Sequence, residues 1–259
     1  MKGYIGEIFS SFQGEGVYAG RRQIFLRFFG CNLNCCYCDT QSFKKPEQQF
    51  CKIEKEPGTL EFIFVENPMP LDMVVGHIDR LTSPDLHSVS FTGGEPLLTD
   101  DFLISIAKKC HESGFKNYLE TGGTSSKKFG KVIRFFDYAA IDIKLPNHNA
   151  VPKDSFLKLY ENEIDCIKTS FELNIETIIK VVLLKGTKID DFEKICKDLS
   201  GLTSDKPFYF VIQPVTQIEG LEVVIKPSIK EIFRFSELAG MYIDNVFVIP
   251  QIHRQIGVL

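Results

Sequence analysis

The chain has 259 residues, 44% hydrophobic and 25% charged, with a formal net charge of -4. This is ordinary globular composition, long enough for one large core or two small ones. The mild acidity and the lack of a lysine-arginine block argue against a nucleic-acid binder that works by neutralising phosphates.

Residues 1–7 lack the basic start and unbroken apolar run of a signal peptide. Residues 23–29 are rich in aromatic and branched side chains and are predicted as a buried strand. Residues 41–58, polar and proline-containing, are predicted as a surface loop, followed by an irregular strand at 59–64. A second main strand is predicted at 88–91. Phe102, Ile106 and Cys110 fall four apart, with Leu103 and Ala107 beside them, which predicts an amphipathic helix over 102–110. A third strand follows at 117–119, a helix at 128–136, a fourth strand at 138–143 and a fifth at 177–184. The apolar run 178–184 is interrupted by Lys180 and is too short to span a bilayer. A soluble cytoplasmic protein is therefore expected, with neither membrane nor nucleic acid among its partners. Ile189, Phe192, Ile195 and Leu199 mark a helical stripe before a sixth strand at 208–212. Ser228 is predicted to cap a helix that carries Ile229, Ile232, Phe233 and Ser236 inward and stops at Gly240. The last strand is expected at 246–249. Such alternation implies parallel strands joined by right-handed crossovers, with chemistry at their C-terminal ends. Six repeats in one domain, residues 1–259, suit a barrel or partial barrel better than an open two-sided sheet, although periodicity does not separate the two.

Four of the eight cysteines crowd into residues 31–38. Cys110 and Cys196 fall on apolar helix faces and are read as small core residues; Cys51 and Cys166 carry no readable signal. Cys31, Cys35 and Cys38, spaced C-x3-C-x2-C directly after the first long strand, can wrap a loop so that three thiolates converge on one cuboidal cluster. Three ligands for four irons leave one iron open to a substrate or cofactor, and Gly30 permits a tight turn before the loop. The competing reading is a structural zinc site with three thiolates and one further ligand. No later C-x-x-C or H-x-H pair supports it. Cys36 permits the alternative triple Cys31, Cys36, Cys38, but an adjacent side chain usually points the other way, so Cys36 is read as a bystander.

At these residues the sequence resembles the radical S-adenosylmethionine superfamily, whose hallmark is C-x3-C-x-aromatic-C, with Tyr37 as the aromatic. Thr92-Gly93-Gly94-Glu95-Pro96 matches the superfamily's GGEP motif. Within that superfamily the sequence is similar to the 7-carboxy-7-deazaguanine synthase family. The resemblance is carried by Glu7 to Gly16, by Phe25 to Leu33 running on through Cys38-Asp39-Thr40, by Glu120-Thr121-Gly122-Gly123-Thr124, and by Pro250 to Gly257. It is most specific up to Thr40 and weaker between Gly123 and Ile249. It implies an α/β fold, a partial (β/α)6 TIM-like barrel of the radical S-adenosylmethionine type. The implied reaction takes 6-carboxy-5,6,7,8-tetrahydropterin to 7-carboxy-7-deazaguanine with loss of ammonia. The implied cofactors are a 4Fe-4S cluster on Cys31, Cys35 and Cys38, S-adenosylmethionine, and Mg2+ on Thr40.

Carried over by position, the cofactor would meet Tyr37, Cys38, Asp39, Gly93, Gly94 and Glu95. It would also meet Asp142-Ile143-Lys144 and Gln213-Pro214-Val215-Thr216. Many relatives read Ser-Pro-Lys where this chain has Asp142-Ile143-Lys144, so backbone contacts are expected there rather than side-chain roles. The substrate would meet Phe12, Gln13, Gly14, Glu15, Arg27, Thr92, His253 and the carboxylate of Leu259, with Arg27 forking its carboxylate. The resemblance further implies a homodimer and an electron donor such as flavodoxin or ferredoxin. A glycyl-radical activase shares the cysteine loop and GGEP but does not need Gln13 to Gly16, Arg27 and Thr40 together.

Overall fold

The computed structural model describes residues 1–45, 47–202, 208–216 and 224–258, apart from the side chain of Arg254. The first long element, β1 (Ile5–Phe12), is not among the predicted strands. Gly6, Ser10 and Ser11 dilute its apolar pattern, and it is buried on nearly every side. It runs antiparallel to β2 (Arg22–Phe28). The stretch predicted as a loop at 41–58 holds a strand, β3 (Phe50–Glu54), parallel to β1, and β4 (Phe62–Glu66) lies antiparallel beyond it. Its polar residues suggested a loop because these two strands form the sheet's edge, with part of their surface in water. Cys51 and Ile53 fill the covered side and are fully buried.

From β2 onward the expected parallel series is present. It runs through β5 (Leu86–Gly93), β6 (Asn117–Thr121), β7 (Tyr138–Ile143), β8 (Glu176–Leu183), β9 (Tyr209–Pro214) and β10 (Val246–Val248). The whole sheet is ordered β10-β9-β8-β7-β6-β5-β2-β1-β3-β4, with the parallel pairs between β2 and β10. Its two ends are not bonded to each other, so the barrel is partial.

Helices α1 (Leu71–Arg80), α2 (Asp100–Glu112), α3 (Ser126–Val132), α4 (Phe156–Glu172), α5 (Ile189–Ser200) and α6 (Ile229–Gly240) make the crossovers. A short α7 (His253–Ile256) follows β10. Neither α1 nor α4 is predicted from the sequence. In α4 the buried face includes Glu163 and Ser170, which hide the apolar stripe. The helix expected at 128–136 begins earlier, where the Ser125 hydroxyl accepts from the Lys128 amide, and tightens into a 3-10 turn at Ile133–Phe135. Ser228 caps α6 as expected: its hydroxyl takes the Glu231 amide while the Glu231 carboxylate takes the Ser228 amide. The buried face of α6 differs from the expectation: Ile232, Phe235 and Ala239 turn to the main core, and Phe235 meets Phe192 of α5 at 4.9 Å. Ile229 and Phe233 are left 73% and 65% exposed.

Strand alternation divides the molecule. Leu26, Phe91, Leu119, Ile141, Val181 and Ile212 point outward and form the main core with the helices, together with Cys110, Cys166 and Cys196. Their neighbours along the chain point inward. Among the described residues no helix is long and apolar enough to cross a membrane.

Candidate active site

The barrel interior is closed at the N-terminal ends of its strands. Residues 13–21 turn back beneath it through a 3-10 turn at Gly16–Tyr18. Tyr18 meets Tyr138 at 5.0 Å, Tyr118 at 6.1 Å and His87 at 4.5 Å, and its hydroxyl donates to Glu176. Above this aromatic floor lies a cavity of about 230 Å³.

Cys31, Cys35 and Cys38 line that cavity and Cys36 does not. The Cys36 thiol lies 3.7 Å from the Asn147 carbonyl, and its amide donates to the His148 carbonyl. Asn34 donates in turn to Ala150, so residues 145–150 buttress the loop. His148 is fully buried; its Nδ1 accepts the Leu145 amide, which leaves Nε2 to donate to the Val182 carbonyl at 2.8 Å. Burial lowers its pKa to about 3, so a neutral ring stands edge-on to Tyr37 at 4.8 Å. Burial pushes the Cys31 thiol up to about 11 and raises Cys35 as well, so metal binding would have to displace their protons. Among the described residues no three His, Cys, Asp or Glu side chains gather tightly enough to hold a single ion. A mononuclear zinc site needs sulfurs within about 2.3 Å of one metal. Three thiols sharing one cavity wall suit the separate corners of a multi-iron cluster instead. The donor set fits such a cluster.

The loop after β5 faces the cysteine loop. Gly93 sits at φ 125°, and a Cβ at Gly94 would fall 1.9 Å from the Gly30 carbonyl, so only glycines let the two loops close. Glu95 is buried, and its carboxylate accepts from Thr121, Gly122 and Leu97. It ties the ends of β5 and β6 together. Burial pushes its carboxyl above the ordinary range, with those hydrogen bonds opposing.

Deeper in, Arg27 donates from Nε to Glu7 at 3.1 Å and lies over Phe9 at 5.7 Å and Phe43 at 5.2 Å. The residue also lines the cavity. Gln13 donates to Gln23 and Glu120, and Glu120 also accepts from Thr92 and Ser90. Glu15 accepts from Lys180, Gln213 and Gln251. Asp142 accepts from Lys144 at 3.0 Å and Lys180 at 3.1 Å. Burial opposes the charge on Asp142, yet the two ammoniums hold its carboxyl below the usual range. Gln213 is buried on the wall, and its Oε1 finds no partner among the described residues. This orphaned acceptor suits a ligand that donates a hydrogen bond. Gly14 is covered by the tail: its carbonyl accepts the Ile252 amide, and His253 packs where a Cβ would stand.

Phe12, Tyr37, Asp39, Thr40, Val215, Thr216 and His253 also reach the cavity. Ile143 and Pro214 do not. Alternation turns them to the outer side, with Ile143 in the main core. Leu259 lies outside the described residues. Asp142, expected to act through its backbone, also presents a carboxylate to two lysines. The site also contains Glu120, Lys180 and Gln251, which carry no role in the reading of the sequence. A charged residue at an inward position of an apolar strand was the available signal for Lys180.

Residues 26–199 match the Radical SAM superfamily. The 7-carboxy-7-deazaguanine synthase of Methanocaldococcus jannaschii is 41% identical over 257 residues, 98% of this chain and 100% of that protein. The protein of the same name from Geobacter sulfurreducens is 36% identical over 98% of this chain and 96% of its own length. Among solved structures, QueE from Escherichia coli aligns with a TM-score of 0.58 at 19% identity, covering 96% of this chain and 94% of that one.

Proposed function

This chain belongs to the 7-carboxy-7-deazaguanine synthases of the radical S-adenosylmethionine superfamily, and we propose that it converts 6-carboxy-5,6,7,8-tetrahydropterin to 7-carboxy-7-deazaguanine with loss of ammonia. The observation that carries this reading is a single cavity lined by the three thiols, the GGEP loop and Arg27. When bound, the cluster and S-adenosylmethionine would supply the radical that takes hydrogen from the pterin.

The chain's own residues do the rest. Cys31, Cys35 and Cys38 would hold the cluster. Gly93, Gly94 and the wall from Tyr37 to Asp39 would receive the cofactor, with Gln213 Oε1 accepting one of its donors. Arg27 would fork the substrate carboxylate. Gln13, Glu15 and Thr92 would read the pterin edge, with Phe12, Gly14 and His253 closing around it. The aromatic floor keeps water from entering beneath. Thr40 offers a hydroxyl oxygen at the cavity, 3.7 Å from the Cys38 sulfur, a donor that a magnesium ion accepts. A homodimer, a small electron-transfer partner such as flavodoxin or ferredoxin, and a cytoplasmic location belong to the same reading. The eight unpaired cysteines support a reducing compartment.

Anaerobically reconstituted and reduced protein, given S-adenosylmethionine, magnesium and the carboxytetrahydropterin, is expected to release 7-carboxy-7-deazaguanine. Formation of 5'-deoxyadenosine alone, with the pterin untouched, would reject the substrate and keep the cofactor assignment.

A further inference from the structure

Lys180 sits near the middle of β8, with its side chain 13% exposed inside the barrel. Its ammonium contacts two carboxylates far apart in the sequence: Glu15 from the loop beneath the barrel, and Asp142 from the end of β7. Glu15 lies on the side assigned to the pterin and Asp142 on the side assigned to the cofactor. No other described ammonium or guanidinium pairs with Glu15; its remaining contacts are the neutral amides of Gln213 and Gln251. Asp142 has a second cation in Lys144. Removing the Lys180 charge would therefore strand Glu15 and leave Asp142 served. A half-buried carboxylate that loses its cationic partner loses the contact that fixes its direction.

We infer that Lys180 is a positioning residue for the substrate: it holds the Glu15 carboxylate aimed at the pterin's amino-amide edge. The inference rests on the pterin reading above. Lys180 acts through Glu15 and need not touch the substrate.

The test compares Lys180→Met, Lys180→Arg, Glu15→Gln and the double variant Lys180→Met/Glu15→Gln in the full-length, anaerobically reconstituted protein. Two rates are measured: product formation against pterin concentration, and 5'-deoxyadenosine formation without pterin. Lys180→Met is expected to raise the pterin KM at least about tenfold, the loss of one charge-assisted contact. Its pterin-free cofactor cleavage should fall by less than the pterin KM rises, because Lys144 still serves Asp142. Lys180→Arg should recover part of the KM. On the Glu15→Gln background the same lysine change should cost less than about threefold, because residues acting as one unit are not additive. An unchanged KM in Lys180→Met, or full additivity in the double variant, overturns the inference. So does an equal loss of pterin-free cleavage in both lysine variants. An active wild type with any of these results rejects the role of Lys180 alone. A wild type that leaves the pterin untouched rejects the substrate reading, and this inference with it.

Discussion

Along β8, Ile179, Val181 and Leu183 point outward into the helical layer, while Ile178, Lys180 and Val182 point inward. The same contrast holds on β2, where Leu26 and Phe28 face the core and Arg27 faces the cavity. One backbone thus carries two unrelated demands. The outer face is selected for volume and is nearly all hydrocarbon. The inner face carries Arg27, Thr92, Glu120, Asp142, Lys180 and Gln213, groups that would be costly in a core without partners. Here Asp142 and Lys180 partner each other, Arg27 is partnered by Glu7, and Glu120 accepts from Gln13, Ser90 and Thr92, so the interior of the barrel is a site rather than a filled core.

This contrast predicts that inner changes remove chemistry and outer changes remove stability. The largest effect belongs to the cysteine loop: Cys35→Ser should lower turnover at least about a thousandfold, ~4 kcal/mol of barrier. Iron analysis should show the cluster lost with it, whereas Cys36→Ser keeps iron and turnover. Iron loss of the same size in Cys36→Ser would move the ligand set to the other triple. On the outer face, Phe91 is fully buried and edge-on to Phe136 at 5.0 Å. Phe91→Ala should cost about 3–5 kcal/mol in urea unfolding and leave the pterin KM unchanged while the protein is folded. A changed KM would mean that the two faces are coupled.

Arg27→Ala comes next, with the pterin KM rising about 10- to 100-fold, as for hydrogen bonds to a charged group worth about 1.5–3 kcal/mol. Its cluster content should stay normal, and an unaltered KM would remove the carboxylate fork. Glu163 sharpens the comparison from outside the cavity. It is fully buried on α4, where its carboxylate takes only the Lys144 backbone amide among the hydrogen bonds described. Burial raises its pKa well above the ordinary range, with the Lys144 ammonium opposing. The folded state therefore keeps a proton that the unfolded chain releases above about pH 4.3. Stability from this group is complete below that pH and is lost as pH rises toward the folded pKa. Glu163→Gln should remove that slope, up to ~1.4 kcal/mol per pH unit, from melts followed across pH. An identical slope in both proteins would assign it elsewhere. The smallest effect is at Ser228, where Ser228→Ala should cost about 1 kcal/mol through the lost cap and leave every kinetic constant in place.

The parallel series from β2 to β10, α2 and α5 were legible, because each carries its own periodicity within a few residues. β1, the β3–β4 edge, α1 and α4 were not. Gly6 and the serines of β1 become intelligible only between neighbours that cover both faces. The polar β3–β4 stretch reads as a loop until a sheet edge supplies its hydrogen bonds. Glu163 inside α4 looks like an exposed position until the Lys144 amide is seen to meet it. Ile229 and Phe233 show the reverse, apolar residues whose helix turns its other face to Phe192.

By itself the sequence determined the cysteine loop, the glycine loop, the cap at Ser228 and the family, because these are written in spacings of a few residues. The tertiary structure decided which cysteine turns away, which way α6 faces, and that Lys180 belongs to the site. Glu15 and Lys180 are 165 positions apart. Coulomb attraction depends on distance in space and desolvation on what surrounds the pair, and neither exists until the strands have closed around them.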